Sequence, residues 1–215
     1  MKNFKKEYKN YLNKDHNFDK ETIIGIFCLV IVITGIFGWL YEFIFYYFNG
    51  GMKEFYWRGG NFLPWINIYA TGSIMIYLLT YKHRKKPWKV FLLSFFATGI
   101  LEYLSGLGMY TLGNRKRCWD YNQEILNFGN INGFVCLRSV LFFGLSALLL
   151  MYVIIPFCFS QAKKIPKKRF MTISIVVCSI FLFDEFYNLI FARILKTPRA
   201  YDVYSRLGFN YVHFK

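Results

Sequence analysis

Four acidic residues lie inside stretches of sequence that are otherwise apolar enough to cross a membrane: Glu42, Glu102, Asp184 and Glu185. Carboxyl groups in such places can gain and lose protons, bind cations or pair with arginine. A charged carboxylate at the centre of a lipid-facing helix costs about 2.5 to 3.5 kcal/mol, so such groups usually face a protein interior or a wet cavity. These acids are therefore the first candidates for a functional site.

The elements that carry these acids are predicted to be membrane helices. Of the 215 residues, 55% are hydrophobic and 22% are aromatic. Three uncharged runs approach the roughly 20 residues that cross a bilayer, and two more do so only if their acids are included. The sequence predicts an all-α, polytopic membrane helix bundle of about five transmembrane helices, although a three-span bundle with two buried or interfacial segments stays open. The five predicted spans are 23–41, 63–81, 90–101 extended through Glu102, 139–160, and 170–183 extended through Glu185.

The positions of the basic residues predict the orientation. Of the 27 Lys and Arg residues, 16 lie before the first span or in the loops after the second and fourth. The side with more Lys and Arg in short loops is normally cytoplasmic. We therefore expect the N-terminus inside and the C-terminus outside. The net charge of +15 is explained by this topology, so no nucleic-acid partner is expected.

Three regions follow from this topology. Residues 1–22 form a cytoplasmic basic segment, residues 23–195 the five-helix transmembrane domain, and residues 196–215 an extracytoplasmic tail. The first segment interleaves Lys with aromatic residues, so it either lies on the anionic inner leaflet or is a solvated tail that fixes orientation.

The cysteines and histidines do not indicate a metal or cofactor. No cysteine pair has metal-ligand spacing, and Cys118 is predicted in an outer loop. Packing is the expected role of the other four cysteines, which are Cys28, Cys136, Cys158 and Cys178. No metal site and no cofactor are expected.

The predicted orientation places the acids in the outer half of the membrane together with arginines. Glu102 lies about twelve residues into its span, which is about 18 Å at 1.5 Å per residue. Arg58 precedes the second span and Arg138 enters the fourth from outside. Pairing would lower the cost of burying each charge. We predict a polar, outward-opening substrate-binding cluster, made of Glu42, Arg58, Glu102, Asp120 and Arg138.

Helical spacing indicates which side chains share a face with each acid. Residues three, four and seven apart form one stripe. Small or polar residues share the stripes of Glu42 and Glu102, and Asp184 aligns with Asn188. Glu185 aligns with Arg193, which is a candidate partner for one of the two neighbouring acids. Asp184 and Glu185 point about 100° apart on a helix of 3.6 residues per turn and are not expected to serve one site.

Further polar and aromatic residues in the outer segments are secondary candidates. Asp120 either contacts a ligand or caps a turn. Trp119 either contacts a ligand or belongs to an interfacial aromatic belt. Each outer loop follows a Glu-bearing helix and carries Trp, Gly and Asn, which suggests a duplicated hairpin. The secondary candidates are Asn67, Trp119, Asn132, Asp184 and Glu185.

Several of these residues carry a resemblance to a family. The motifs are Gly38-Trp39-Leu40-Tyr41-Glu42, Arg58-Gly59, Pro64-Trp65, Ile68-Tyr69, Glu102, Trp119-Asp120-Tyr121, Asn132-Gly133 and Cys136-Leu137. Over residues 38–144 the chain resembles the bacterial membrane proteins described as "putative ABC-transporter type IV" permeases (CmpB-like). The resemblance implies a permease-like component of a transport system in a bacterial plasma membrane.

The chain has no GxxxxGK[ST] phosphate-binding loop, so ATP-coupled transport would need a separate ATPase subunit. Ion-coupled or uncoupled transport through the buried acids is an alternative. Membrane lipids and a homo-oligomer are further expected partners. An intramembrane enzyme acting on a lipid head group, with paired carboxylates as acid and base, and a structural or regulatory membrane protein also remain open. No catalytic residue is assigned.

Overall fold

Helices account for most of the fold in the computed structural model, which describes residues 2–13, 18–49, 56–112, 115, 117, 119–208 and 210–211. Cys118, predicted in an outer loop, lies outside these residues. The helices are α1 (Lys2–Asn13), α2 (Lys20–Asn49), α3 (Asn67–Thr80), α4 (Pro87–Leu112), α5 (Leu137–Leu149), α6 (Ile155–Lys164), α7 (Lys167–Phe186), α8 (Ala192–Leu195) and α9 (Ala200–Arg206). Strands β1 (Tyr56–Trp57) and β2 (Asn210–Tyr211) form a two-residue parallel pair. The all-α membrane class is confirmed.

Within the described residues, four helical segments are long and apolar enough to cross a membrane: Lys20–Asn49, Pro87–Leu112, Leu137–Lys164 and Lys167–Leu195. The two acid-bearing runs are thus parts of long helices, as expected for a bundle of about five. The orientation of the termini stays a prediction.

The second predicted span, 63–81, is shorter than expected. Helix α3 has 14 residues, or about 21 Å of rise, against a hydrocarbon core of about 30 Å. It begins only at Asn67, because the Ile66 amide bonds to the Gly35 carbonyl of α2 instead of a carbonyl of its own helix. The Phe62 and Leu63 amides just before it bond to Asp184. Apolar composition alone does not reveal this late start.

Helix α4 shows why an acid is tolerated in an apolar helix. Its buried residues recur mainly every fourth position and are Val90, Ser94, Thr98, Glu102 and Gly106. Large apolar residues on the opposite face are exposed, including Phe96, Ile100 and Leu104. Polar and small residues therefore face protein and apolar residues face outward, as in a lipid-exposed helix.

Two π turns interrupt the long helices. The first, Leu150–Ile154, lies just before Pro156. Proline has no backbone N–H to donate and its ring crowds the preceding turn, so the helix widens there. The second, Tyr187–Phe191, follows the two acids of α7.

The chain forms two compact units. One comprises the described residues within 2–75 and 150–211, and the other those within 76–149. In the first unit α2 packs on α7 around a core of Val32, Trp65, Ala70, Cys178 and Phe181. In the second, α4 packs on α5, and a Cβ at Gly144 would come within 2.7 Å of the Phe91 ring. The predicted region boundaries stay predictions.

The N-terminal helix packs against protein. Tyr11 in α1 is fully buried and meets Phe159 of α6 edge to face, with ring centroids 5.6 Å apart. Neither alternative from the sequence, a leaflet-bound segment or a solvated tail, anticipated this contact. The described residues of the C-terminal region are also folded, since Tyr204 of α9 stacks on Trp57 with centroids 4.5 Å apart.

Candidate functional site

In the first unit, Glu42 and Arg58 form a buried ion pair. Arg58 Nη2 lies 2.8 Å from Glu42 Oε2, and Arg58 Nε donates to the same oxygen at 2.9 Å. Tyr69 donates its hydroxyl to Glu42 Oε1 at 3.2 Å. The side chains are only 8% and 19% exposed. These two members of the predicted cluster therefore lie together.

The local chain geometry presents Arg58 to this acid. Gly59 directly follows and has a φ of +86°, and a Cβ there would lie 2.7 Å from the Trp65 carbonyl oxygen. The guanidinium also lies over the Tyr46 ring, 3.8 Å from its centroid. Burial alone would lower the pKa of Arg58, but the Glu42 carboxylate and neighbouring groups outweigh it and the pKa is raised. The Arg58 guanidinium is therefore held in its charged form.

Asp184 in the same unit fastens the segment that precedes α3. Its Oδ1 accepts from the Phe62 amide at 3.0 Å and its Oδ2 from the Leu63 amide at 2.8 Å. The Trp65 indole donates to Oδ2 at 3.1 Å, and the Asn188 amide donates to Oδ1 at 2.8 Å. Four donors surround one carboxylate, which is the pattern of a structural anchor.

Glu185 contacts the same stretch of chain through other donors. Asn61 Nδ2 donates to Oε1 at 2.7 Å, and Asn67 Nδ2 donates to Oε2 at 3.0 Å. The two neighbouring acids thus both bind segment 61–67, although they diverge around the helix, because the segment supplies donors on both sides. Arg193, the partner suggested by spacing, is exposed while both acids are buried.

In the second unit, Glu102 is held by two hydroxyl groups. The Tyr121 hydroxyl lies 2.5 Å from Oε1, and Ser139 Oγ lies 2.7 Å from Oε2. Glu102 is only 8% exposed. No arginine or lysine in the described part of this unit forms an ion pair with it, in contrast to the arrangement at Glu42.

Arg138, predicted to serve the acid cluster, pairs with a residue that the sequence reading did not select. Its Nη2 lies 2.5 Å from Glu124 Oε2, and the side chains are 13% and 9% exposed. Arg138 acts on Glu102 only as a more distant charge. The pair contributes two opposite charges near Glu102 that largely offset each other.

Tyr121 is placed by a tight loop. It begins the 3-10 turn Tyr121–Gln123, and its amide donates to the Gly133 carbonyl at 3.0 Å. Gly133 has a φ of +75°, and a Cβ there would lie 2.4 Å from both Asp120 Oδ1 and Asn122 Nδ2. Burial raises the pKa of Tyr121 far above its ordinary value, so its hydroxyl is a donor.

The other predicted residues of this loop have partners of their own. Asp120 accepts from the Asn122 amide at 3.1 Å and lies 3.6 Å from Arg117, so it caps a turn. Asn132 has a φ of +55° and donates to the Tyr103 hydroxyl at 3.1 Å. The Trp119 indole donates to the Phe134 carbonyl at 2.9 Å.

Sequence reasoning selected the acids but missed most of their partners. Tyr69 and Tyr121 lie in the motifs that carry the resemblance but are not among the predicted site residues, and neither are Ser139, Glu124 and Asn61. Tyr69 lies 27 positions from its acid and Ser139 lies 37 from its acid, so helical periodicity carries no signal for these contacts.

The fold and the buried acids define a polytopic helical membrane protein with polar networks among apolar helices. The chain belongs to the family described as "Putative ABC-transporter type IV", whose model matches residues 29–189. The match extends beyond the stretch that carries the resemblance and includes Asp184 and Glu185. No curated protein and no solved structure matches the chain.

Proposed function

We propose that the chain is the permease-like membrane component of a transport system in the plasma membrane, with its polar site in the outer half of the bilayer. Family membership supports a transport role. The site proposed for solute or ion contact is the Glu102 network, and the Glu42–Arg58 pair is proposed to hold the neighbouring loop in place.

The observation that carries this proposal is the contrast among the buried acids. Asp184 is surrounded by four fixed donors, and Glu42 is matched by a guanidinium. Among the described residues, the partners of the Glu102 carboxyl group are the hydroxyls of Tyr121 and Ser139. Hydroxyls rotate and can exchange a carboxylate for another partner, so Glu102 is the acid best suited to a transport cycle.

The energy source is proposed to lie outside this chain. The sequence holds no phosphate-binding loop of the GxxxxGK[ST] type, so a pump would need a separate ATPase subunit. Co-purification of the tagged chain with an ATPase from its native membrane would support this arrangement. Purification of the chain without any ATPase, under conditions that keep it folded, would favour transport driven by an ion gradient.

The experiment that tests the proposal compares cells lacking the protein with cells making either the natural chain or Glu102→Gln at equal membrane abundance. Solutes in the cells and medium are profiled by mass spectrometry, and lipids are profiled in parallel. We expect at least one solute whose distribution across the membrane depends on the natural chain and is lost with Glu102→Gln.

Two other outcomes would overturn the proposal. A changed lipid species with unchanged solute distribution would indicate an enzyme acting on a lipid head group. Full rescue of every solute and lipid difference by Glu102→Gln would indicate that the acid has a structural or regulatory role. Glu21→Gln makes the same substitution at an exposed position of α2, so it is the matched control and is expected to behave as the natural chain.

A further inference from the structure

We propose that Glu102 is a reversible proton-binding site, with Ser139 and Tyr121 as the groups that accommodate both of its protonation states. This goes beyond the proposed transport role, because proton binding can be measured on the purified chain without any substrate. The inference rests on the geometry of one hydroxyl group.

Ser139 Oγ has more oxygen neighbours than its single hydrogen can serve. It lies 2.7 Å from Glu102 Oε2 and 2.8 Å from the Cys136 carbonyl oxygen. It also receives the Cys136 amide at 3.3 Å. A serine hydroxyl has one hydrogen to donate and two lone pairs to accept with. A carbonyl oxygen cannot donate, so both short contacts are full two-centre hydrogen bonds only if Glu102 itself donates to Ser139.

A protonated Glu102 satisfies the whole network. Its O–H donates to Ser139 Oγ, the Ser139 hydroxyl donates to the Cys136 carbonyl, and the Cys136 amide fills the second lone pair of Oγ. The other carboxyl oxygen, Oε1, accepts the Tyr121 hydroxyl at 2.5 Å. Every polar atom then has a partner of the right kind, as buried polar groups require.

The ionised form is accommodated by one rotation. When the proton leaves Glu102 for water or a bound solute, the Ser139 hydroxyl turns from the Cys136 carbonyl to the carboxylate. That carbonyl keeps the Val140 amide at 3.2 Å. One hydrogen bond is exchanged for another and no backbone movement is needed, so the proton can return by the reverse step.

The other acids are bound differently. The donors around Asp184 are two backbone amides, an indole and a side-chain amide nitrogen, and none of these groups can accept a hydrogen bond. Glu42 has one hydroxyl partner, Tyr69, on Oε1, but its Oε2 is bound by the Arg58 guanidinium, which only donates. Among the described residues, Glu102 is distinguished by a hydroxyl group on each of its two carboxyl oxygens.

None of the charged and titratable groups that face Glu102 neutralises the carboxyl group in place of a proton. On the loop they are Tyr121 and Glu124, and on α5 the group is Arg138. Arg138 and Glu124 are joined as an ion pair, so their charges largely offset each other. Tyr121 remains a neutral donor. The protonation state of Glu102 therefore depends mainly on its own hydrogen bonds.

Infrared difference spectroscopy across a pH series on the purified full chain in lipid nanodiscs tests the inference. The wild-type minus Glu102→Gln spectrum is expected to show the C=O stretch of a protonated carboxyl group at the acidic end. That band should be lost as pH rises and be replaced by carboxylate bands. In Ser139→Ala the C=O band should shift in frequency, because the Glu102 O–H loses its acceptor.

Glu21→Gln, the same substitution at an exposed position of α2, is the control and should leave the Glu102 bands unchanged. Carboxylate bands for Glu102 at every pH at which the chain is folded would contradict the proposal. A protonated band that never titrates would also contradict it, since Glu102 would then be a fixed hydrogen-bond donor. Either result would leave the transport proposal standing on its own solute test.

Discussion

Ser139 Oγ and Glu102 Oε2 lie 2.7 Å apart, although the residues are 37 positions apart in the chain. The contact joins α4 to the first turn of α5 within one unit and ties a buried carboxyl group to a hydroxyl that can donate or accept. Glu42, by contrast, has a hydroxyl partner on only one oxygen, and its other oxygen is bound by a guanidinium that can only donate. This difference in partner underlies the functional assignment.

Ser139→Ala should destabilise the protein by about 1–2 kcal/mol, because it removes hydrogen bonds from a buried carboxyl group and from the start of α5. The matched control is Ser94→Ala on the same face of α4. Ser94 is buried, and its Oγ has no hydrogen-bond partner among the described residues, so its loss should cost close to nothing. Thermal unfolding in detergent measures both. Equal destabilisation by the two variants would contradict the assigned role of Ser139.

Glu42→Gln and Arg58→Met should each destabilise the protein by about 3 kcal/mol, because either change leaves one buried charge without its partner. The double variant should lose clearly less than the sum of the two, since no unpaired charge remains. A double-mutant cycle on thermal or denaturant unfolding measures the coupling. Additive losses would show that the pair has no net interaction in the membrane environment.

Asp184→Asn should loosen the segment before α3. The natural carboxylate only accepts hydrogen bonds there, whereas the NH2 group of asparagine would face groups that also donate. A loss of about 2 kcal/mol in local stability corresponds to a roughly 30-fold faster hydrogen exchange. Hydrogen exchange at the amides of Phe62 and Leu63, which donate to Asp184, gives the readout. Asp120→Asn is the control and should leave these two amides unchanged. Unchanged exchange in Asp184→Asn would refute its role as an anchor.

The predicted orientation can be tested with single exposed cysteines in a background in which Cys118 is replaced by serine. Lys85→Cys lies between α3 and α4, and Ser205→Cys lies in α9; both natural residues are exposed. In intact cells a membrane-impermeant maleimide should label Ser205→Cys and spare Lys85→Cys. Cys136, Cys158 and Cys178 are buried and should contribute little background. The reverse labelling pattern would invert the topology and move the acids to the inner half of the membrane.

The sequence predicted the parts of the fold that depend on local composition. Apolar runs located the long helices, and helical spacing placed Thr98 on the same face of α4 as Glu102, where both are buried. The same spacing paired Asp184 with Asn188. These features depend only on residues within a few turns of each other.

Long-range features could not be predicted in the same way. The segment before α3 is held by backbone bonds to Asp184, more than 120 positions away. Arg138 pairs with Glu124 rather than Glu102 because of how the loop after α4 folds. That fold depends on the left-handed backbone at Asn132 and Gly133. The burial of Tyr11 depends on α6. Each requires the tertiary contact to be known first.

The most direct test of the central claim, that Glu102 is a functional acid and not a structural one, is Glu102→Gln assayed for membrane abundance, thermal stability and solute phenotype together. Glutamine can donate to Ser139 and accept from Tyr121, so it reproduces the bonds of the protonated acid. We predict normal abundance and stability with loss of the solute phenotype. Loss of abundance or stability, or a normal phenotype in a stable variant, would contradict the claim.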